Sequence, residues 1–275
     1  RVIIFSPHPD DDVVSMGGTF DRLVSQGHEV HIAYQVKGNI AVSDHDALKF
    51  IEVSKDMFKN DSKVPVSELI KELKNNKPDK IDSQAVRDLK GFIRKREAIA
   101  ATRYIGIPDS NTHFMNLPFY DTGRIKKNPP TKKDVLITAS LIKKIKPHQI
   151  FAAGDLEDPH GTHKVCLDVI LDALDTLKGE KFIKDCWLWL YRGAWLDWDV
   201  HDIDMAVPMS PAQVLRKRKA IFFHQTQKDG VMFQGQDLRE FWVRAEERNS
   251  ETAEKYKKMG LADYAAIESF KRHYY

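Results

Sequence analysis

Two short segments carry side chains that could do chemistry together. The first is Pro7-His8-Pro9-Asp10-Asp11-Asp12, directly after the apolar run Val2-Ile3-Ile4-Phe5. One imidazole and three carboxylates crowded at a strand end repel one another unless something neutralises them, and a divalent cation does so. His8 and Asp11 are three residues apart, so one turn can aim both inward, and the two prolines limit the loop's freedom. The second segment is Gly154-Asp155-Leu156-Glu157-Asp158-Pro159-His160-Gly161-Thr162-His163, again after an apolar run, Gln149–Ala153. His160 and His163, three residues apart where a helix begins, share one helical face. Either segment alone could be surface decoration, and the aspartates could simply favour the positive end of the next helix. Two of them, each at the end of a buried strand, point instead to one metal site built across a sheet. A His/Asp/His set with one open position suits catalytic zinc.

The surrounding elements must bring the two segments together. Val2–Phe5 reads as a strand, Val13–Gln26 as a helix closed by Gly27, and His28–Val36 as a second strand by its alternation. This β-α-β opening predicts a parallel sheet with a right-handed crossover. Residues 37–93 are polar and Lys-rich, with breaks at Pro65 and Pro78. They read as two or three inserted surface helices, a solvated elaboration rather than a substrate lid. Helices are expected over Arg94–Tyr104, Lys132–Ile145 and Thr162–Leu177. Strands are expected near Asn111–Leu117 and over Gln149–Ala153, Asp185–Tyr191 and Asp202–Val207. Ser210-Pro211 opens another helix, with Ser as N-cap and Pro at the first helical position. The remainder to Tyr275 reads as mostly helical and charged. The fold class is therefore α/β: a Rossmann-like, mostly parallel sheet flanked by helices, with a helical insert, in one domain spanning residues 1–275.

Composition narrows the function classes. The 275 residues are 42% hydrophobic and 30% charged, a globular balance. Lys plus Arg is 43 against 40 for Asp plus Glu, a formal charge of +3, which argues against a nucleic-acid-coating protein. No apolar run approaches the ~20 residues of a membrane span, and two cysteines outside any CxxC pair fit a reducing, cytoplasmic setting. Gly17-Gly18 is not a G-x-G-x-x-G loop, and three acidic residues would repel a pyrophosphate, so a nucleotide-dependent oxidoreductase is disfavoured. The chain opens at Arg1 in mid-strand, which leads us to expect one part of a longer protein.

The opening Pro7–Asp12 motif, with Gly17-Gly18-Thr19 behind it and Pro159-His160-Gly161-Thr162-His163 later, resembles the PIG-L/LmbE zinc-dependent N-deacetylases. Arg94-Lys95-Arg96-Glu97 and Asp121-Thr122-Gly123 are similar to further segments of that family. The resemblance implies that His8, Asp11 and His163 bind Zn2+ (or another divalent metal) and that Asp10 is the general base. It further implies that His160 stabilises the oxyanion, that Arg94 and Asp121 hold the sugar, and that the substrate is a small N-acylated amino sugar. Asp12 stands where the family usually has Glu. At a finer level the chain resembles the C-terminal domain of Bacteroidetes proteins that join a glucosamine-6-phosphate deaminase-like domain to a PIG-L-like one. That resemblance implies a covalently fused deaminase-like partner, and as an alternative function a catalytically silent metal-binding module that regulates it.

Weaker candidates remain. Trp187, Trp189, Trp195 and Trp198 could stack a sugar, although strand spacing favours core packing for the first two. Arg124, Lys126, Lys127, Lys132 and Lys133 read as a solvated basic face. His224 either lines the pocket or ends a helix, and Asp44-His45-Asp46 reads as a helix cap.

Overall fold

A computed structural model describes residues 1–57, 66–76, 80–158, 160–193, 195–228 and 237–275. Pro65 and Pro78, expected as breaks, and Pro159 of the second motif lie outside them. The opening forms as expected: β1 (Val2–Ser6), α1 (Asp11–Ser25) and β2 (Val30–Tyr34). Then come α2 (Asp44–Met57), α3 (Val66–Lys74), α4 (Gln84–Ile105), β3 (Thr112–Phe114), α5 (Lys132–Ile145) and β4 (Gln149–Ala153). The chain continues with α6 (Thr162–Thr176), β5 (Trp187–Tyr191), β6 (Met205–Met209), α7 (Pro211–Ile221), α8 (Phe241–Lys258) and β7 (Ala266–His273). The seven strands form one sheet in the order β3-β2-β1-β4-β5-β7-β6. The first five are mutually parallel, and β7 runs antiparallel between β5 and β6.

Alternation along β1 shows how the layers form. Val2 and Ile4 join a core with residues of α1, α4 and α7, while Ile3 and Phe5 face a second core under α5 and α6. Both faces of the parallel strands are thus covered, which is why they read as continuous apolar runs. Among the described residues, no helix is long and apolar enough to cross a membrane.

Two expectations need correction. The insert is more than a solvated elaboration, because α2 and α3 bury Ile51, Leu69, Ile70 and Leu73 against Val86 and Ile93 of α4. Its boundary at 93 also falls inside α4, a single helix of 22 residues capped by Ser83. Lys90 of α4 reaches both Asp44 and Asp82 at 2.7 Å, so Asp44 serves as an ion-pair partner, while Ser43 and Asp46 cap α2 reciprocally. Second, the C-terminal segment ends in strand β7 rather than in helix.

β7 escaped the pattern because its central charge is inward. Glu268 is 1% exposed, and its Oε1 accepts from the equally buried Lys217 Nζ at 2.8 Å. The same carboxylate accepts the backbone N–H of Gly18 at 2.9 Å and of Thr19 at 2.6 Å. Those donors are available because α1 breaks at Met16 (φ −135°, ψ 27°), which opens a fresh helix start in mid-element. The space is tight: a Cβ on Gly18 would sit 2.1 Å from Met209 Sδ. Glu268 thereby fastens the last strand to the helix that follows the His8 motif. Pro208 is accommodated because β6 is an edge strand.

Glu268→Gln leaves Lys217 buried without its counter-charge. It should lower unfolding free energy by about 3–5 kcal/mol in urea titrations, and Lys217→Met added to it should restore part of the loss. A single variant within about 0.5 kcal/mol of wild type would contradict the pairing's role.

Candidate metal centre

β1 and β4 are neighbours, but their connections leave in opposite directions, to β2 on one side and β5 on the other. Ligand crevices in open parallel sheets form outside the carboxyl ends of strands at such a reversal. The His8 loop leaves the end of β1, and the His160/His163 loop leaves the end of β4. Topology alone therefore brings the two motifs face to face.

Asp11 sits between two imidazoles. Its Oδ2 lies 3.2 Å from His8 Nδ1 and 3.2 Å from His163 Nε2, and it accepts the backbone N–H of His8 at 2.8 Å. One donor atom from each of the three residues lies within 4.8 Å of the others. His163 is fixed from behind: its Nδ1 is 2.7 Å from the carbonyl oxygen of Asp155, which places a proton on Nδ1 and turns Nε2 toward Asp11. The Asp155 carboxylate accepts from the backbone of Trp195 at 2.5 Å and Leu196 at 3.1 Å, tying the loop after β4 to the loop after β5. Asp158 caps α6, accepting from Thr162 N at 2.7 Å and His163 N at 3.1 Å. Two imidazoles and a carboxylate, with one imidazole already oriented by an outer hydrogen bond, suit a three-ligand divalent metal site.

The electrostatics agree. Burial pulls the His163 imidazole down, but the Asp11 carboxylate outweighs it and holds that group up at about 10. Burial pushes Asp11 up, yet His163 and His8 bring it well below the ordinary carboxylate range. A cation held here would replace the proton that otherwise bridges these charges. Behind the triad, Asp12 is fully buried against Tyr34 OH (3.1 Å) and Ser6 Oγ (3.2 Å), and burial raises its carboxyl to about 7. The shorter side chain, where the family usually has Glu, thus still reaches two donors.

The remaining predicted residues part company. Asp10, Arg94 and His160 line the same cavity as the triad. The buried Arg94 guanidinium donates to Asp10 Oδ1 at 2.9 Å and to Pro9 O at 3.1 Å, so its partners lie in the Asp10 loop. Burial raises Asp10 and Arg94 opposes that shift, with a net upward displacement that makes it a better proton acceptor. His160 is half-buried, and burial together with His8 lowers its pKa, which favours the neutral imidazole. Asp121 does not line the cavity; its carboxylate is engaged by Lys37 at 3.2 Å and Arg87 at 3.5 Å. His224 is buried with no ring hydrogen bond among the described residues, and burial and Arg94 hold it at about 3.

Sequence reasoning missed several wall residues. Val14, Ile40, Ala41 and Phe241 form an apolar side, and Gln227 and Tyr120 add polar groups. Ile40 and Ala41 begin the insert, and no local pattern distinguishes them from its solvated parts. Tyr120 adjoins Asp121 in the motif that was noticed. Among the tryptophans, Trp195 alone lines the cavity; Trp189 is core, and Arg272 covers Trp187 at 3.8 Å. Arg124, Lys126, Lys132 and Lys133 are exposed as expected, but Lys127 turns in to lie 3.8 Å over the Tyr120 ring.

Comparisons with known proteins give the chain's family and its fold relatives. The family model described as PIG-L: GlcNAc-PI de-N-acetylase matches residues 3–174, and the chain belongs to that family. A glucosamine-6-phosphate deaminase-like protein of Bacteroides thetaiotaomicron is 50% identical over 279 residues, covering 98% of this chain; the chain spans 42% of that protein's length. Among solved structures, N,N'-diacetylchitobiose deacetylase from Pyrococcus horikoshii superposes with a TM-score of 0.58 at 18% identity, covering 99% of this chain and 83% of that one. The 4-carboxy-2-hydroxymuconate hydratase GalB from Pseudomonas putida gives 0.59 at 15% identity, covering 100% and 96%. One fold thus accommodates a deacetylase and a hydratase, so the reaction must be argued from the site.

His163→Ala leaves two ligands and should abolish stoichiometric zinc uptake in metal analysis. In the wild-type chain, zinc must displace the proton that Asp11 holds on His163. Calorimetry in buffers of different ionisation enthalpy should therefore show proton release at pH 7–8, with affinity rising as pH climbs toward 10. Full zinc retention by the variant, or uptake with no proton released, would contradict the ligand assignment.

Proposed function

We propose that this chain is a zinc-dependent N-deacetylase acting on an N-acetylglucosamine-type amino sugar or its conjugate. The observation that carries the reading is the His8/Asp11/His163 triad opening into a cavity that also holds a half-buried, Arg94-bound carboxylate, Asp10. A zinc ion held by the triad would polarise the amide carbonyl and lower the pKa of its water from 15.7 toward ~7. The hydratase neighbour also handles water, but the family match, described by de-N-acetylation, supports amide hydrolysis.

The chain's own residues then have separable tasks. Asp10 accepts a proton from the attacking water as oxygen adds to the amide carbon. Arg94 keeps that carboxylate aimed, and its own burial fixes its geometry. His160 faces the same cavity and donates toward the former carbonyl oxygen. When the C–N bond breaks, the amine leaves with a proton returned by Asp10. We assign the sugar to the wall that includes Arg94; Asp121, engaged by Lys37 and Arg87, is given no direct contact.

The expected result is free-amine release from N-acetylglucosamine or its 6-phosphate, lost on chelation and restored by zinc. Asp10→Asn should keep its metal while kcat falls about 10²–10⁴-fold. Absence of amine release from any N-acyl sugar would leave a metal-binding module without turnover, and wild-type rates in the variant would remove Asp10 as the base.

A further inference from the structure

Two polar side chains of the cavity wall, Gln227 and Tyr120, belong neither to the ligand triad nor to the motif segments; Gln227 Nε2 donates to Ala41 O at 3.0 Å and Thr226 O at 2.9 Å, which leaves Tyr120. Tyr120 follows β3 in a short 3₁₀ turn, Pro118–Tyr120, and is 2% exposed. Its ring meets the His8 ring edge-on, with centroids 6.1 Å apart and an interplanar angle of 70°, and the residue lines the cavity beside the triad. Its hydroxyl is buried without a hydrogen-bond partner among the described residues. The contrast with its equals is informative. Tyr34 and Tyr191 are each 1% exposed, and both hydroxyls are satisfied, by Asp12 at 3.1 Å and by the carbonyl of Phe5 at 2.8 Å. A buried phenol ordinarily finds a partner, because leaving water without one forfeits its hydrogen bonds.

The ring is held in place by everything except that hydroxyl. Asp134 accepts the backbone N–H of Phe119 at 3.1 Å, Gln35 O accepts that of Leu117 at 2.9 Å, and Phe119 packs edge-on at 6.4 Å. Lys127 covers the ring face at 3.8 Å. A donor positioned by packing rather than by its own bond is organised in advance for a group that arrives later.

We propose that Tyr120 is a catalytic residue whose phenol donates a hydrogen bond to the substrate's amide oxygen as that oxygen gains negative charge. This rests on the deacetylase reading above. The phenol keeps its proton throughout: no bond to it forms or breaks, and burial, which pushes its pKa upward, keeps it a neutral donor at working pH. It stands with His160 as a second donor to one developing charge.

Tyr120→Phe tests the assignment, since it removes only the hydroxyl. Because that hydroxyl has no partner among the described residues, thermal stability and zinc stoichiometry should match wild type. Turnover of N-acetylglucosamine should fall about 10²-fold in kcat with KM unchanged. A turnover-free readout accompanies it: calorimetric affinity for a glucosamine whose acetamide is replaced by a methylphosphonamide, a tetrahedral anionic mimic of the attacked amide. That affinity should weaken about 10²-fold in the variant, while affinity for glucosamine itself stays the same. A rise in KM at constant kcat would place the phenol on the sugar and overturn the proposal, as would unchanged kinetics. If the wild-type chain releases no amine, the deacetylase reading fails separately; equal analogue affinities in the two proteins, or no binding to either, then overturn the Tyr120 assignment on its own terms.

Discussion

The arrangement depends on one carboxylate oxygen placed between two imidazoles. Asp11 Oδ2 is 3.2 Å from His8 Nδ1 and 3.2 Å from His163 Nε2, although the two histidines come from loops more than half the chain apart. A buried carboxylate in that position must be compensated, by a proton on an imidazole or by a cation. The surroundings orient His163 through Asp155, draw His8 to Asp11 through its own backbone N–H, and leave the donor atoms converging. That convergence is the feature on which the proposed metal site rests.

Everything else keeps those loops in register. The strand order reverses between β1 and β4, so both loops emerge into one crevice. Asp158 fixes the start of α6 and Asp155 binds the backbone after β5, so His163 is anchored from two elements. On the other side, the broken α1 is held by Glu268 from the last strand of the sheet. Arg94, delivered by the long α4, meets Asp10 beside the triad, and the insert packed on that helix's first half bears on the site indirectly. The apolar lining residues Val14, Ile40 and Phe241 come from three separate regions of the chain.

The parts legible in the sequence were those governed by local rules. Apolar runs ending in His/Asp-rich loops located β1 and β4, and Ser210-Pro211 marked the start of α7 because capping chemistry is short-range. The capping box of Thr131 and Asp134 opens α5, which runs over Lys132–Ile145 as expected. What could not be seen is non-local. The charge of Glu268 made β7 look like a solvated helix, since its partner Lys217 is 51 residues away. Asp121 is expected at the sugar from the resemblance of its segment to one of the family, and no local pattern announces that Lys37 and Arg87, from other segments, meet its carboxylate. Tyr120, one residue earlier, faces the triad instead. Adjacent side chains diverge in a 3₁₀ turn, and only the packing of Phe119 and Lys127 decides which one turns inward.

X-ray absorption at the zinc edge of the zinc-loaded chain tests the central claim most directly, because it reads the ligand atoms themselves. The account predicts a first shell of nitrogen and oxygen only, at about 2.0–2.2 Å, with the outer-ring scattering of two imidazoles that falls to one in His8→Ala. A shell containing sulfur at about 2.3 Å, or imidazole scattering unaltered by loss of His8, would contradict it.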